Sequence, residues 1–256
     1  PIVTAADINK AAQEAKKASA NLKTKVQAAK DVQEKAKTAQ TAANEAKAAA
    51  GKAKADAEAA KKAADDAKAK GDQGKEEAQK AQDAAKKAQE DANKAKEKAD
   101  QAVKDVSNSV KDAEKAANDV NTAAEDAKTK AAVAKTQADA ALKGGQADAD
   151  DVKKAAEDAK KTAAGIQDEA NKAKSTAENT VNDVKTTVGD VQETAKDIET
   201  TSTEVKNTAD AAIKTTEEIV GVAKEVGDKV EDAVKDAEEG VKDAEEGAKE
   251  AVKDAE

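Results

Sequence analysis

The chain has no histidine, cysteine, methionine, phenylalanine, tyrosine or tryptophan, and all 45 of its basic residues are lysine. Each absence excludes something. Without thiol or imidazole there is no neutral-pH general base, no strong nucleophile and no soft metal ligand. Without aromatic side chains, the groups that carry most of an ordinary core's burial are missing. Nucleic acid is excluded as a partner, because a basic, arginine-bearing face with stacking rings is absent. No run of about 18 apolar residues occurs, so no segment is expected to span a membrane. No Asn-x-Ser/Thr acceptor occurs. Neither an enzyme, a cofactor nor a metal site is expected, and proline is confined to Pro1.

What remains is alanine and charge. Alanine supplies 68 of 256 residues, while Val, Ile and Leu together supply 29. Charged residues make up 39%, with a net charge of −9. From Glu225 to Glu256 there are 13 acidic residues and 5 lysines, so this stretch holds −8 of that total. Alanine-, lysine- and glutamate-rich chains with helical periodicity read as long helices or coiled coils.

The periodicity is present. Apolar residues step alternately by three and four: Val32, Ala36, Ala39, Ala43, Ala46, Ala50, and on to Ala67. A second run goes from Ala78 to Val106, takes an extra step of four to Val110, and resumes at Ala113. A third runs from Val152 through Val184, Val191 and Ile198 to Val230, with Ser202 and Thr216 interrupting it. This is the seam of a left-handed coiled coil with occasional stutters. Gly71-Asp-Gln-Gly74 and Gly144-Gly145 break the pattern. Glycine just beyond a helix takes up the left-handed cap that other residues resist.

The fold expected is therefore all-α: a long antiparallel Ala-seam coiled-coil bundle of three long helices, or of four. The helices are placed at 4–70, 75–143 and 147 onward. Residues 1–143 form a hairpin turning at 71–74, residues 144–220 the third helix, and residues 221–256 an acidic heptad segment. A second turn at 200–203, where Thr and Ser cluster, would make the four-helix version. No Val, Ile or Leu occurs between Gln33 and Ala102, so folding about the first turn sets large residues beside large and Ala beside Ala. The third helix is too long for its neighbours. Its excess points to self-association through residues after about 215. Gly221, Gly227, Gly240 and Gly247 each weaken the last segment by about 1 kcal/mol relative to Ala, so fraying is expected there.

Candidate sites are few. Thr180, Thr187, Thr194, Thr201, Thr208 and Thr215 recur every seven residues, as do Thr122, Thr129 and Thr136. Such rows can order water at an ice surface, or they can be polar positions flanking the seam. The Glu238-Glu239 and Glu245-Glu246 pairs are weak calcium candidates without the spacing of a calcium loop. Gly71-Asp-Gln-Gly74-Lys75 is too short for a phosphate loop and has Glu76 where Ser or Thr is required. Only residues 181–230 are apolar enough for weak contact with a lipid surface.

Segments such as Thr38-Ala-Gln-Thr-Ala-Ala-Asn-Glu-Ala-Lys-Ala48 and Lys87-Ala-Gln-Glu-Asp-Ala-Asn-Lys-Ala-Lys-Glu97 resemble the repeat of group 3 late embryogenesis abundant proteins. That resemblance implies protection against drying and freezing by a chain that orders on dehydration. The seven-residue period departs from it. The Ala seam and scarcity of aromatics also resemble Ala-rich coiled-coil silks, although Ser is rare, with five in the chain. The expectation that follows is a non-enzymatic coiled-coil structural or self-assembly protein. The start at Pro1 without methionine favours secretion over the cytoplasm. The alternative is a stress protectant, either dehydration-protective or ice-binding.

Overall fold

The computed structural model describes residues 3–144 and 150–253; beyond Gly221, side chains are described only at Asp232 and Lys235. Among the described residues the fold is all-α. Helix α1 spans Ala5–Lys70, α2 Lys75–Val106, α3 Ser109–Lys143 and α4 Asp150–Lys253. A short 3₁₀ turn, Gly71–Gly74, joins α1 to α2. Two helices are thus long, at 66 and 104 residues.

Alanine makes these helices possible. It loses no side-chain entropy on ordering and has the best helix propensity. Thr4 starts α1 with a reciprocal cap: the Asp7 N–H donates to Thr4 Oγ1 at 3.2 Å, and the Thr4 N–H donates to Asp7 Oδ2 at 3.1 Å. This is a capping box with Asp in the place usually held by Glu. That donation from the Thr4 backbone holds the Asp7 carboxyl below its ordinary range.

The expected second helix is two helices. Val106 to Val110 is the extra step of four, and there the helix is interrupted at Ser107 and Asn108, with Asn108 still in the right-handed helical region. Both the Ser107 N–H and its hydroxyl donate to Lys104 O, at 3.2 and 2.7 Å. The Asp112 N–H donates to Asn108 O at 2.8 Å, which begins α3. Conversely, no turn forms at 200–203; α4 continues through it, and through Gly221, Gly227, Gly240 and Gly247. The four-helix version with a late turn is therefore corrected. Gly145 and the expected helix start at Ala147 lie outside the described residues.

The helices divide into two compact units. The first comprises Pro1–Ala46 and Glu97–Lys196, the second Lys47–Lys96 and Asp197–Glu256. The first unit holds most of the larger apolar residues. Leu22 packs with Val120 and Ile166 among alanines. Val106, Val184, Val188 and Val191 pack with Ala36, Ala39 and Ala43, with Val103, Val110 and Val181 at the edge. This valine cluster backs the Ser107–Asn108 turn. Ile8 packs with Ala138, Ala141, Ala156 and Ala159.

In the second unit α1 and α2 contribute only alanine to the core, and α4 adds the fully buried Ile198 and Val205. Ala60 and Ala64 of α1 meet Ala81 and Ala85 of α2 and Ala209 and Ala212 of α4. Ala53 and Ala57 meet Ala88 and Ala92 around Val205. The turn closing this unit depends on two glycines. Gly71 sits at φ +63°, the left-handed region that other residues resist. At Gly74 an added Cβ would lie 2.2 Å from the carbonyl oxygen of Ala67.

These positions predict substitutions of opposite sign. Gly74→Ala should destabilise the chain by about 1–3 kcal/mol, because the clash is with backbone that cannot swing away. Gly51→Ala should stabilise it by about 0.5–1 kcal/mol, since Gly51 lies inside a helix and nothing stands within 4 Å of its added Cβ. Thermal melts followed by circular dichroism compare the two directly.

Candidate functional site

The seven-residue rows of polar side chains define the molecule's surface chemistry. Along α1 and α4 the paired residues are 150 apart in sequence. In the first unit Ser19 Oγ donates to Glu169 at 2.7 Å, Gln33 Nε2 to Asp183 at 2.7 Å and Gln40 Nε2 to Asp190 at 3.3 Å. In the second, Lys47 pairs with Asp197 at 3.1 Å, Lys54 with Glu204 at 2.7 Å and Lys68 with Glu218 at 3.4 Å. A constant separation of 150 means these stretches of α1 and α4 run parallel.

The opposite order holds against α3. In the first unit Lys160 pairs with Asp139 at 2.9 Å, Lys174 with Glu125, and Lys185 with Glu114 at 3.2 Å. Each step up α4 is matched by an equal step down α3, so the pair is antiparallel. In the second unit Gln89 Nε2 of α2 donates to Asp210 at 2.6 Å. Helix α4 thus presents acids to α1 and, in the first unit, lysines to α3. Like charges set opposite one another are unfavourable, so this sorting fixes which neighbour lies on which side.

The two residues that interrupt the apolar seam of α4 lie inside it. Ser202 is buried and donates to Ala92 O of α2 at 3.3 Å. Thr216 is fully buried and donates to Ile213 O at 2.8 Å. Short hydroxyl side chains can hydrogen-bond backbone carbonyls, so they enter the seam without leaving a polar group unpaired.

The threonine rows are placed differently from one another. Thr180 and Thr187 are buried, at 3% and 9% exposure, and Thr180 Oγ1 donates to Thr176 O at 2.7 Å. Thr194, Thr201, Thr208 and Thr215 are half-buried. The α4 row is therefore not the continuous outward face that its spacing allowed. A seven-residue repeat returns to one face of a helix, but its neighbours decide whether that face meets solvent. Thr122, Thr129 and Thr136 of α3 are exposed, and Val133 beside them is 47% exposed. Glu238, Glu239, Glu245 and Glu246 lie outside the described side chains.

Among the described residues, no group of three or more acidic side chains is close enough to hold a metal ion. No described helix is long and apolar enough to cross a membrane. Grooves lie between the described helices. One lies between α1 and α2 in the second unit and is lined by Ala59, Ala63, Ala81 and Ala84 with Lys80, Glu77 and others. Two adjoin each other between α1 and α4 in the first unit and share Lys23 and Glu169. No protein-family model, curated protein or solved structure matches the chain.

The ion pairs set a pH window. The hydrogen bond from Lys174 holds the Glu125 carboxyl below its ordinary range, and that from Lys160 does the same for Asp139. The hydrogen bond to Glu204 raises Lys54 above its ordinary value. A depressed carboxyl stabilises the fold above its unfolded pKa, and that contribution goes as pH falls through the folded one. A raised lysine contributes below its unfolded pKa and loses that contribution as pH rises through the folded one. The melting temperature should therefore be flat at neutral pH. It should fall below the ordinary carboxyl values of 3.8 and 4.5 and above the ordinary lysine value of 10.5. Differential scanning calorimetry across pH checks this, and Lys54→Met should remove the alkaline part assigned to that pair.

Proposed function

We propose that the chain is a non-enzymatic, elongated coiled-coil protein whose role is structural self-assembly. One observation carries this reading. Helix α1 ends at Lys70, and the separation of 150 residues matches that position to residue 220 of α4. Helix α4 continues to Lys253. Its last thirty or so residues thus extend past the register that α1 supplies.

Their sequence still carries a seam. Ala223, Val226, Val230, Ala233 and Ala237 keep the three-four steps, and after one step of four Val241, Ala244, Ala248 and Ala251 resume them. A helix with an apolar stripe gains most of its stability by packing that stripe. A second molecule is the natural source of the missing partner.

Sedimentation equilibrium tests the reading. The weight-average mass of the full chain should rise with concentration, while a chain ended after Val220 should stay at the monomer mass. A full chain that remains monomeric throughout the accessible range would overturn the proposal.

A second reading, stress protection by ordering water at ice, is favoured by the exposed row Thr122, Thr129 and Thr136. Hydroxyl and methyl groups repeat there about every 10.5 Å along the helix. Thr129→Lys should abolish any thermal hysteresis and leave helicity unchanged. Absence of hysteresis in the unaltered chain would remove this reading.

A further inference from the structure

We propose that the groove between α1 and α4 in the first unit receives the acidic C-terminal segment of α4 from a second copy of this chain. The inference rests on the self-assembly reading and names the surface through which it works.

The groove has an apolar floor and a cationic rim. Leu22 and Val26 of α1 and Ile166 and Ala173 of α4 line it. Lys16, Lys23 and Lys30, spaced by seven residues on α1, stand along one side. Lys161 and Lys172 of α4 stand on the other. The one acidic residue lining it is Glu169, already taken by Ser19 Oγ at 2.7 Å and by Lys23 at 3.9 Å. Among the described residues, Lys16, Lys30, Lys161 and Lys172 have no ion-pair partner, and the groove lining holds five lysines to one glutamate.

The groove also coincides with a gap in the polar rungs. Between the Ser19–Glu169 and Gln33–Asp183 rungs, the seven-residue step falls on Val26 and Thr176. Both line the groove. A half-buried valine stands where the flanking rungs place hydrogen-bonding side chains, so apolar surface is left open beside the lysines.

The C-terminal segment has the complementary character. The acids that α4 turns toward α1 recur every seven residues at Asp183, Asp190, Asp197, Glu204 and, after a gap at 211, Glu218. The same spacing continues in sequence through Glu225, Asp232, Glu239 and Glu246, beyond the last residue of α1. Asp232 is exposed. From Glu225 onward the net charge is −8. Two such segments laid together would repel, whereas the groove has opposite sign and an apolar floor.

The occupant comes from a second copy for a simple reason. Groove and segment both belong to α4, which is one uninterrupted helix. A segment cannot fold back onto its own helix without breaking it. Joining the end of one molecule to a different surface of the next is heterologous, so the contact yields a ring where its rotation closes and a filament where it does not.

The test is sedimentation velocity on the full chain at low salt. The unaltered chain should associate with increasing concentration, and association should fall as salt screens the rim. The variant K16E/K30E/K161E/K172E should lose at least tenfold in association constant, with helicity unchanged by circular dichroism. Mixing it with E225K/D232K/E239K/E246K should restore association between the two variants. Should the glutamate variant lose helicity, the glutamine version of the same four lysines gives the same reading. A groove variant that associates as tightly as the unaltered chain would overturn the groove and leave self-assembly standing. An unaltered chain that never associates would overturn both.

Discussion

The constraint on which the rest depends is the size of a methyl group. Where the seam is alanine, each buried contact contributes on the order of 0.8 kcal/mol, well below the contribution of a buried leucine or phenylalanine. Such a seam has little shape of its own, because one methyl resembles the next and adjacent registers bury similar areas. Stability must then come from number, and register from something other than packing. This accounts for helices of 66 and 104 residues in a chain where 32 and 35 are the shorter lengths. It also accounts for the polar rows along their flanks. Exposed ion pairs contribute little to stability individually, with a median of about 0–1 kcal/mol. Repeated at one spacing, they penalise together every shift that is not a whole heptad.

The two units meet this constraint differently. In the first, Leu22, Val106, Val120, Ile166 and Val184 supply larger shapes that interlock among alanines. In the second, α1 and α2 contribute alanine alone to the buried clusters, and α4 supplies Val205 and Ile213 against them. Lysines dominate the donor side of α1 in this second unit, at Lys47, Lys54 and Lys68, where the first uses Ser19, Gln33 and Gln40. The charged rungs fall where the seam is least specific. The tight turn at Gly71–Gly74 lies at the end of that same unit and fixes the relative phase of α1 and α2 by geometry that larger residues cannot adopt.

Much of this was legible in the residues, and what was not has physical causes. The end of α1 at Lys70 and the turn after it follow from two glycines flanking a phase break. The seam residues from Ala36 to Ala67 are buried because a three-four step admits one inward face. The turn at Ser107 was present as an extra step of four. A stutter can be absorbed by local unwinding or by interrupting the helix, and only the surrounding valines decide between them. The burial of Thr180 and Thr187 was hidden for a similar reason: spacing identifies a face without saying what covers it. The α1–α4 pairs were hardest to see, since Gln33 and Asp183 are unremarkable apart and acquire meaning only at a common offset.

That common offset has a further consequence for how the gene can change. Removing one residue from α1 would rotate its remainder by about 100° and turn the seam to solvent. Removing seven would keep the seam inward and set Lys47 and Lys54 opposite Asp190 and Asp197, yet would leave Lys68 opposite Ala211 and carry the Gly71–Gly74 turn one heptad down α4. Relief requires the same seven residues to leave α4 at the matching level, and α2 or α3 to shorten there as well. Length in this protein is therefore not a local property. It can drift only through coordinated insertions or deletions of whole heptads in helices that lie far apart in the sequence.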